Sequence, residues 1–269
     1  MRAILKMGGS VLTDKTKADS ARENEIKRIA KEISNAVLND PQLNLILILG
    51  AGCYGHIPAK KWNLKAGALT REQIERGVPE THKGIAKFAE KVSQALQHEN
   101  LTARYIPTIE VAKQENGKLI KIEKETIQNA IDRKEIPMLT GDLAPDSKLN
   151  YSICSGDAIV PYLAREFSCD IIAFGSDVDG IFTADPKKRP EAELVEEINE
   201  ENLNEMLKKT SAASTIDVTG GMKNKLEEVA QIARKTGKEI IIFNAATPKN
   251  VEHLLSGKKM ICTRIRLKK

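Results

Sequence analysis

The chain has 269 residues, of which 41% are apolar, 29% charged and 4% aromatic, and its formal net charge is +5. That length suits one large domain or two small ones with a sizeable core, and the composition is that of a soluble globular protein. So few aromatic residues argue against a base-stacking nucleic-acid surface, no apolar run is long enough for a membrane span, and the interspersed Lys and Glu make a solvated surface whose modest positive field favours anionic ligands.

The first predicted strand, "RAILKM", has no signal peptide ahead of it and points to a cytoplasmic protein; it runs directly into Gly8, Gly9 and Ser10. A helix over about 23–38 follows, with Ile26, Ile29, Ile33 and Val37 on one face. The run "LILIL" is a second strand and leads into "GAGCYGH" at 50–56, read as a glycine loop ending in a histidine. Beyond a loop around Trp62, a helix over about 80–97 sets Ile85, Phe88, Val92 and Leu96 at helical spacing. "ARYIPTI" is a short strand, and "EVAKQ" with "KLIKI" forms a hairpin around Glu115-Asn116-Gly117. A helix at about 123–132, the strand "IPMLTG", a helix "GDAIVPYLAREF" containing Pro161 and the strand "DIIAFGS" come next. The acidic stretch 191–209 is predicted as a surface helix, "KNKLEEVAQIARKTG" as a helix ending at Gly237, and "KEIIIFNA" as a strand. Near-continuous Ile, Leu and Val strands separated by helices predict an α/β fold around a mostly parallel sheet buried on both faces.

Cys53, Cys154, Cys169 and Cys262 are far apart and form no CxxC pair, so packed, reduced thiols are expected and a zinc site is not. His82, His98 and His253 read as surface residues, and Trp62 as packing its loop. The chemistry is expected elsewhere. Five polar or glycine-rich stretches follow strands or open helices: "KMGGS", "GAGCYGH", "GDLAPD", "GSDVDGIFTADP" and "DVTGGMKNK". In an open α/β sheet, ligands collect at the carboxyl ends of the strands, so these tips should converge.

In "KMGGSVLTDK", Lys6 lies on the strand, backbone amides follow at Gly8, Gly9 and Ser10, and Lys15 stands beyond. Amides at a glycine turn cradle phosphate oxygens while lysines offset their charge. The stretch is neither GxxxxGK[ST] nor GxGxxG, which removes P-loop chemistry. "SDVDGIFTADP" sets Asp177, Asp179 and Asp185 around a glycine without the EF-hand spacing or its distal Glu. A carboxylate directed at a lysine or at nucleotide-bound Mg²⁺ is one reading; Asx caps of a turn are the other for Asp179 and Asp185. "TGGMKNK" places Gly220 and Gly221 ahead of a helix carrying Lys223 and Lys225, a helix N-terminus with lysines that suits an anion. Each motif alone is matched by a plain turn with surface side chains; five of them on one sheet favour a shared phosphate site.

In this order, "KMGGSVLTDK" (6–15), "GAGCYGH" (50–56), "GDLAPDSKLNYSICSGDAIVPYLA" (141–164), "SDVDGIFTADPK" (176–187) and "DVTGGMKNKL" (217–226) resemble the amino-acid kinase superfamily from end to end, and within it the isopentenyl phosphate kinase family. The glycine loop ending in His56 and the Ser-Gly-Asp at 155–157 resemble the branch whose acceptor is itself a phosphate or phosphonate. The resemblance implies a three-layer α/β/α sandwich with a mostly parallel central sheet, one domain over 1–269 with an acceptor half at about 1–165 and a nucleotide half at about 166–269. It implies a cytoplasmic homodimer that uses ATP and Mg²⁺ to phosphorylate isopentenyl phosphate, with no nucleic-acid or membrane partner.

Residue by residue, it implies that Lys6 and Lys225, helped by Lys15, hold the transferred phosphoryl group. Gly8, Gly9, Ser10 and Gly52 would donate amides to the ATP phosphates, Asp177 would orient the lysines or the nucleotide, and Gly220 would lie along the nucleotide. Ala51, His56, Gly156 and Asp157 match acceptor positions, with His56 donating to the acceptor phosphate. Cys53-Tyr54 departs from the Ser-Phe usual there. "THKGIAKFAEKV" is the helix implied to wall the acceptor's tail: with His82 and Lys83 inward it would house an isoprenoid poorly, with Ile85, Ala86 and Ala89 inward it would fit a five-carbon chain. A fosfomycin-kinase-like phosphonate kinase and a non-catalytic nucleotide-binding member of the fold are the alternatives.

Overall fold

A strand covered on both faces sends alternate side chains into two apolar layers, and that alternation organises this molecule. The computed structural model describes residues 1–268 apart from 15, 185, 187, 188 and 213–220, with the backbone alone at 211, 212, 221, 222 and 224. An eight-stranded sheet runs in the order β12 (Glu197–Ile198), β14 (Cys262–Ile265), β13 (Ile240–Asn244), β9 (Ile171–Ser176), β1 (Arg2–Met7), β2 (Asn44–Leu49), β6 (Ile136–Thr140) and β3 (Ala103–Tyr105). Neighbours are parallel except β13 with β14.

Ile4, Ile46, Ile48, Ile172 and Phe174 enter one layer, where α6 (Lys124–Asp132), α7 (Gly156–Glu166), α8 (Leu203–Ala212) and α9 (Gly221–Thr236) cover them. Leu5, Leu47, Leu49, Ala173 and Phe243 enter the other, under α2 (Glu23–Asn39), α4 (Val78–His98) and α10 (Asn250–Leu255). Each buried Ile, Leu or Phe of these contributes on the order of 1.5–3 kcal/mol by leaving water. The result is the expected three-layer sandwich. Among the described residues, no helix is long and apolar enough to cross a membrane.

A smaller sheet, in the order β5 (Lys118–Ile122), β4 (Ala112–Glu115), β7 (Asp142–Asp146) and β8 (Asn150–Cys154), stands over the carboxyl ends of β2 and β6. The β4–β5 hairpin turns at Asn116 and Gly117, both at positive φ, as read from the sequence. Two expectations change. "GDLAPD", expected as a strand-end loop, is β7 of a second hairpin, because Asp146 gathers the turn amides of Asn116, Gly117, Lys148 and Leu149 and the Ser152 hydroxyl. The stretch expected as one surface helix over 191–209 instead begins as two short strands, β11 (Leu194–Val195), paired with β10 (Ile181–Phe182), and β12. The free edge of β14 takes up this backbone: Arg264 N–H donates to Glu196 O at 2.8 Å and the Thr263 hydroxyl to Val195 O at 2.6 Å. Helix α8 starts only after Asn199, whose side chain accepts from the Glu201 and Asn202 amides. The strand expected in "ARYIPTI" is also shorter, giving way to a helical turn, α5 (Thr108–Val111). All four cysteines are buried free thiols.

Candidate active site

β1 has β2 on one side and β9 on the other; from β1 the chain crosses over to β2, whereas from β9 it moves outward the other way to β13, so a crevice opens between the carboxyl ends of β1 and β9. Into it project the ends of β1, β2, β6 and β9. Gly8 N–H donates to Gly175 O and Gly50 N–H to Met7 O, each at 2.8 Å, which stitches the strand-end loops together. Their backbones touch so closely that a Cβ on Gly9 would lie 2.7 Å from Gly52 Cα and one on Gly50 2.8 Å from Gly9 N. Only glycine permits that approach.

Behind this contact stands Thr13, fully buried: its hydroxyl donates to Gly9 O at 2.7 Å and accepts from Cys53 N–H at 3.2 Å. Its side chain fills the place a Cβ on Gly52 (φ +54°) would occupy. Gly52 is thus clamped between Gly9, which lines the crevice, and Thr13. The stretch "GAGCYGH" is not a loop throughout. From Gly52 it coils into α3 (Gly52–Lys61), and His56 projects from that helix. A Cβ on Gly55 would press on Ile85 at 3.2 Å, so the bare glycine lets α3 lie against α4.

The crevice encloses about 380 Å³. Lys6, Gly8, Gly9, Ser10, Ala51, His56, Gly156, Asp157, Asp177 and Lys225 all line it, although they span the chain from residue 6 to 225. Lys15, Gly220 and Asp185 lie outside the described residues. Lys6 Nζ is held by both oxygens of Asp157, at 2.9 and 3.1 Å, and stands 5.9 Å from the centre of the Phe174 ring. Lys225 donates to the Ser176 hydroxyl at 2.6 Å, and Ser10 donates to Asp177 at 3.1 Å. Ser155 caps α7, accepting from Ala158 N–H, so the N-terminus of that helix opens at Gly156 toward the crevice. Asp179 accepts from the Asn244 amide at 3.1 Å and anchors its loop to β13.

The crevice lining also includes the apolar side chains of Ala59, Ile85, Leu143 and Ile153. This settles which face of α4 turns inward: Ile85 lines the crevice, Ala89 packs in the core behind it, and Lys83 is exposed. His82, expected at the surface, is half-buried, its Nδ1 lying 2.7 Å from Asp142 Oδ2. Asp142 belongs to the crevice lining, and its side chain is fully buried behind it. Burial pushes the Asp142 carboxyl up, while its hydrogen bond to Asp142 raises the His82 imidazole. Burial, with Asp142 nearby, pushes the Cys154 thiol up to about 12. Trp62 packs its loop as expected, against Gly77, and donates to Glu80.

The roles of Thr13, Ser176 and Asp142, and the Asp142 partner of His82, could not be read from the sequence, because the bonds Thr13–Cys53, Ser176–Lys225 and Asp142–His82 join residues 40 or more positions apart. Two lysines, a histidine, a helix N-terminus and glycine-loop amides thus share one crevice with several apolar side chains, a chemistry suited to anionic groups.

A family model described as the amino acid kinase family matches residues 1–244. The isopentenyl phosphate kinase of Methanocaldococcus jannaschii is 33% identical over 264 residues, 96% of this chain and 96% of that protein. That of Methanothermobacter thermautotrophicus is 32% identical over 97% of this chain and 98% of its own. Among solved structures, an isopentenyl phosphate kinase matches with a TM-score of 0.82 at 30% identity, covering 98% of this chain and all of that one. The product complex of the Thermoplasma acidophilum isopentenyl phosphate kinase matches at 0.78 and 25% identity, over 99% of this chain and all of that one.

Proposed function

The chain belongs to the amino acid kinase family, and from that premise we propose that it transfers the terminal phosphoryl group of ATP to isopentenyl phosphate, giving isopentenyl diphosphate and ADP. The observation that carries this reading is that Lys6, His56 and Lys225 line one crevice together with the apolar side chains of Ala59, Ile85, Leu143 and Ile153.

Bringing two phosphates together is opposed by Coulomb repulsion, so catalysis here is positioning plus charge compensation. A phosphate oxygen of the acceptor attacks the terminal phosphorus of ATP; the new P–O bond forms as the bond to the β-phosphate oxygen breaks, and ADP leaves. That oxygen is already ionised near neutral pH, so no general base is required, and His56 serves as a donor that holds the acceptor phosphate. The amides of Gly8, Gly9 and Ser10 cradle the ATP phosphates, and Lys6 and Lys225, with Lys15, offset the charge in flight. Asp157 directs Lys6 and Asp177 is held by Ser10 on the nucleotide side, with Gly220 along the nucleotide. Ala51 and Gly156 complete the acceptor end.

Mg²⁺ belongs to the substrate as MgATP. The lining is rich in lysines and amides, its carboxylates are Asp142, Asp157, Asp177 and Glu228, and among the described residues no three possible ligands cluster to hold a metal, which fits a cation that arrives on phosphate oxygens. Residues up to about 165 form the acceptor half and the remainder the nucleotide half, in a cytoplasmic homodimer that light scattering would weigh.

The test is ATP consumption by the purified protein with isopentenyl phosphate, dimethylallyl phosphate and fosfomycin. Turnover is expected with isopentenyl phosphate. Turnover confined to fosfomycin would make the protein a phosphonate kinase, and nucleotide binding without turnover on any of them would make it a non-catalytic member of the fold.

A further inference from the structure

Asp142 poses a problem for an anion site. It is a residue of the crevice lining whose carboxylate is fully buried behind the wall, next to Gly141, whose Cβ position lies 3.1 Å from the Gly156 amide and 3.7 Å from that of Ala51. Those are acceptor-side amides under the functional reading above, on which this inference rests. An uncompensated negative charge there would repel the phosphate the site is built to hold. The compensation comes from α4: His82 Nδ1 lies 2.7 Å from Asp142 Oδ2, while Asp142 Oδ1 accepts from Leu143 N–H.

We propose that His82 is a positioning residue that neutralises Asp142 at the acceptor end of the crevice, so that loss of the one proton the pair shares turns that wall anionic and weakens the acceptor. The remaining charged and titratable groups around the pair are few. Glu110, on α5, raises the imidazole further. The Tyr105 hydroxyl on β3 and the Cys154 thiol on β8 are both pushed up by burial, far above neutrality. His56, Lys6 and Asp157 share the crevice and stay in place in the variants below. The direction of the shift favours function: desolvation tends to discharge the imidazole, but its bond to Asp142 outweighs that and keeps the proton bound at higher pH than in free histidine.

A strut between α4 and β7 with no electrostatic role would lower stability when cut, but would not tie acceptor affinity to pH. The experiment follows the acceptor KM and the affinity for inorganic phosphate from pH 6 to 9 in the wild type, His82→Gln, His82→Lys and Asp142→Asn. ATP KM is the internal reference, and NMR follows the His82 ring. In the wild type the acceptor KM rises on the order of tenfold as the pair loses its proton. In His82→Gln the rise comes at lower pH, because one carboxyl holds its proton less tightly than two groups sharing it. In His82→Lys, whose charge persists, and in Asp142→Asn the profile keeps only what the phosphate and His56 contribute in every variant.

The inorganic phosphate series needs no turnover. A protein that binds phosphate in this pattern yet ignores isopentenyl phosphate overturns the functional reading and leaves the role of the pair standing. Coincident profiles for the wild type and His82→Gln, or a His82 ring that titrates unchanged in Asp142→Asn, overturn the proposal; if Asp142→Asn does not fold, the two His82 variants decide.

Discussion

Gly9→Ala tests whether the loops after β1 and β2 position the reacting phosphates through their direct backbone contact. The new methyl would lie 2.7 Å from Gly52 Cα and 2.8 Å from Gly52 N, where ordinary contact begins at 3.4 Å. The loops must therefore part by about 0.7 Å, because both obstructing atoms are backbone and no rotamer relieves them. Overpacking of this kind costs about 1–3 kcal/mol, and Thr13, bonded to Gly9 O and Cys53 N–H, resists the separation. A misplacement approaching 1 Å costs on the order of a hundredfold in a reaction that depends on positioning. The expected result is a kcat lowered roughly ten- to a hundredfold with a modestly lower Tm. Gly117→Ala is the control: it meets nothing within 4 Å and is strained only by its φ of +75°, so it should cost about 1 kcal/mol of stability and leave kcat alone. A Gly9→Ala enzyme with wild-type kcat would show that the contact does not position the phosphates.

His56→Ala should raise the acceptor KM and lower kcat, by a few kcal/mol at most in kcat/KM, while ATP affinity stays nearly constant; a collapse of ATP binding would place His56 on the donor side. Lys6→Ala should nearly abolish turnover, and a near-normal kcat would remove Lys6 from the mechanism. Asp146→Asn should lower Tm at neutral pH, with a pH signature that fixes the cause. Burial alone would raise the Asp146 carboxyl, but hydrogen bonds from Gly117, Lys148, Ser152 and Leu149 outweigh it and hold it well below the usual range. Its stabilisation is thus complete above an unfolded pKa of about 4 and is lost as pH falls toward the depressed native value. The gap in Tm between wild type and variant should close on acidification; a gap independent of pH would mean that the turn is held by something else.

Much of the architecture was legible before the structure. Ile26, Ile29 and Ile33 on one helical face, and the unbroken runs around Ile46 and Ile172, report burial through periodicities that are local. The glycine and lysine motifs at strand ends marked the crevice for the same reason, since where a parallel strand ends is where the crevice opens. The stretch 191–209 was misread because a polar, glutamate-rich segment has no decisive period of its own, and the free edge of β14 recruits it. Thr13, which fills the space behind Gly52 and ties Gly9 to Cys53, carries no local signal of that role, since its Cys53 partner is 40 residues away.

What the amino-acid order determined alone is therefore the set of elements and the chemistry available at their ends. Which groups touch was decided only by folding. Lys6 finds Asp157 across 151 positions and His82 finds Asp142 across 60, and such contacts depend on the packing of whole layers, which no short window of sequence encodes.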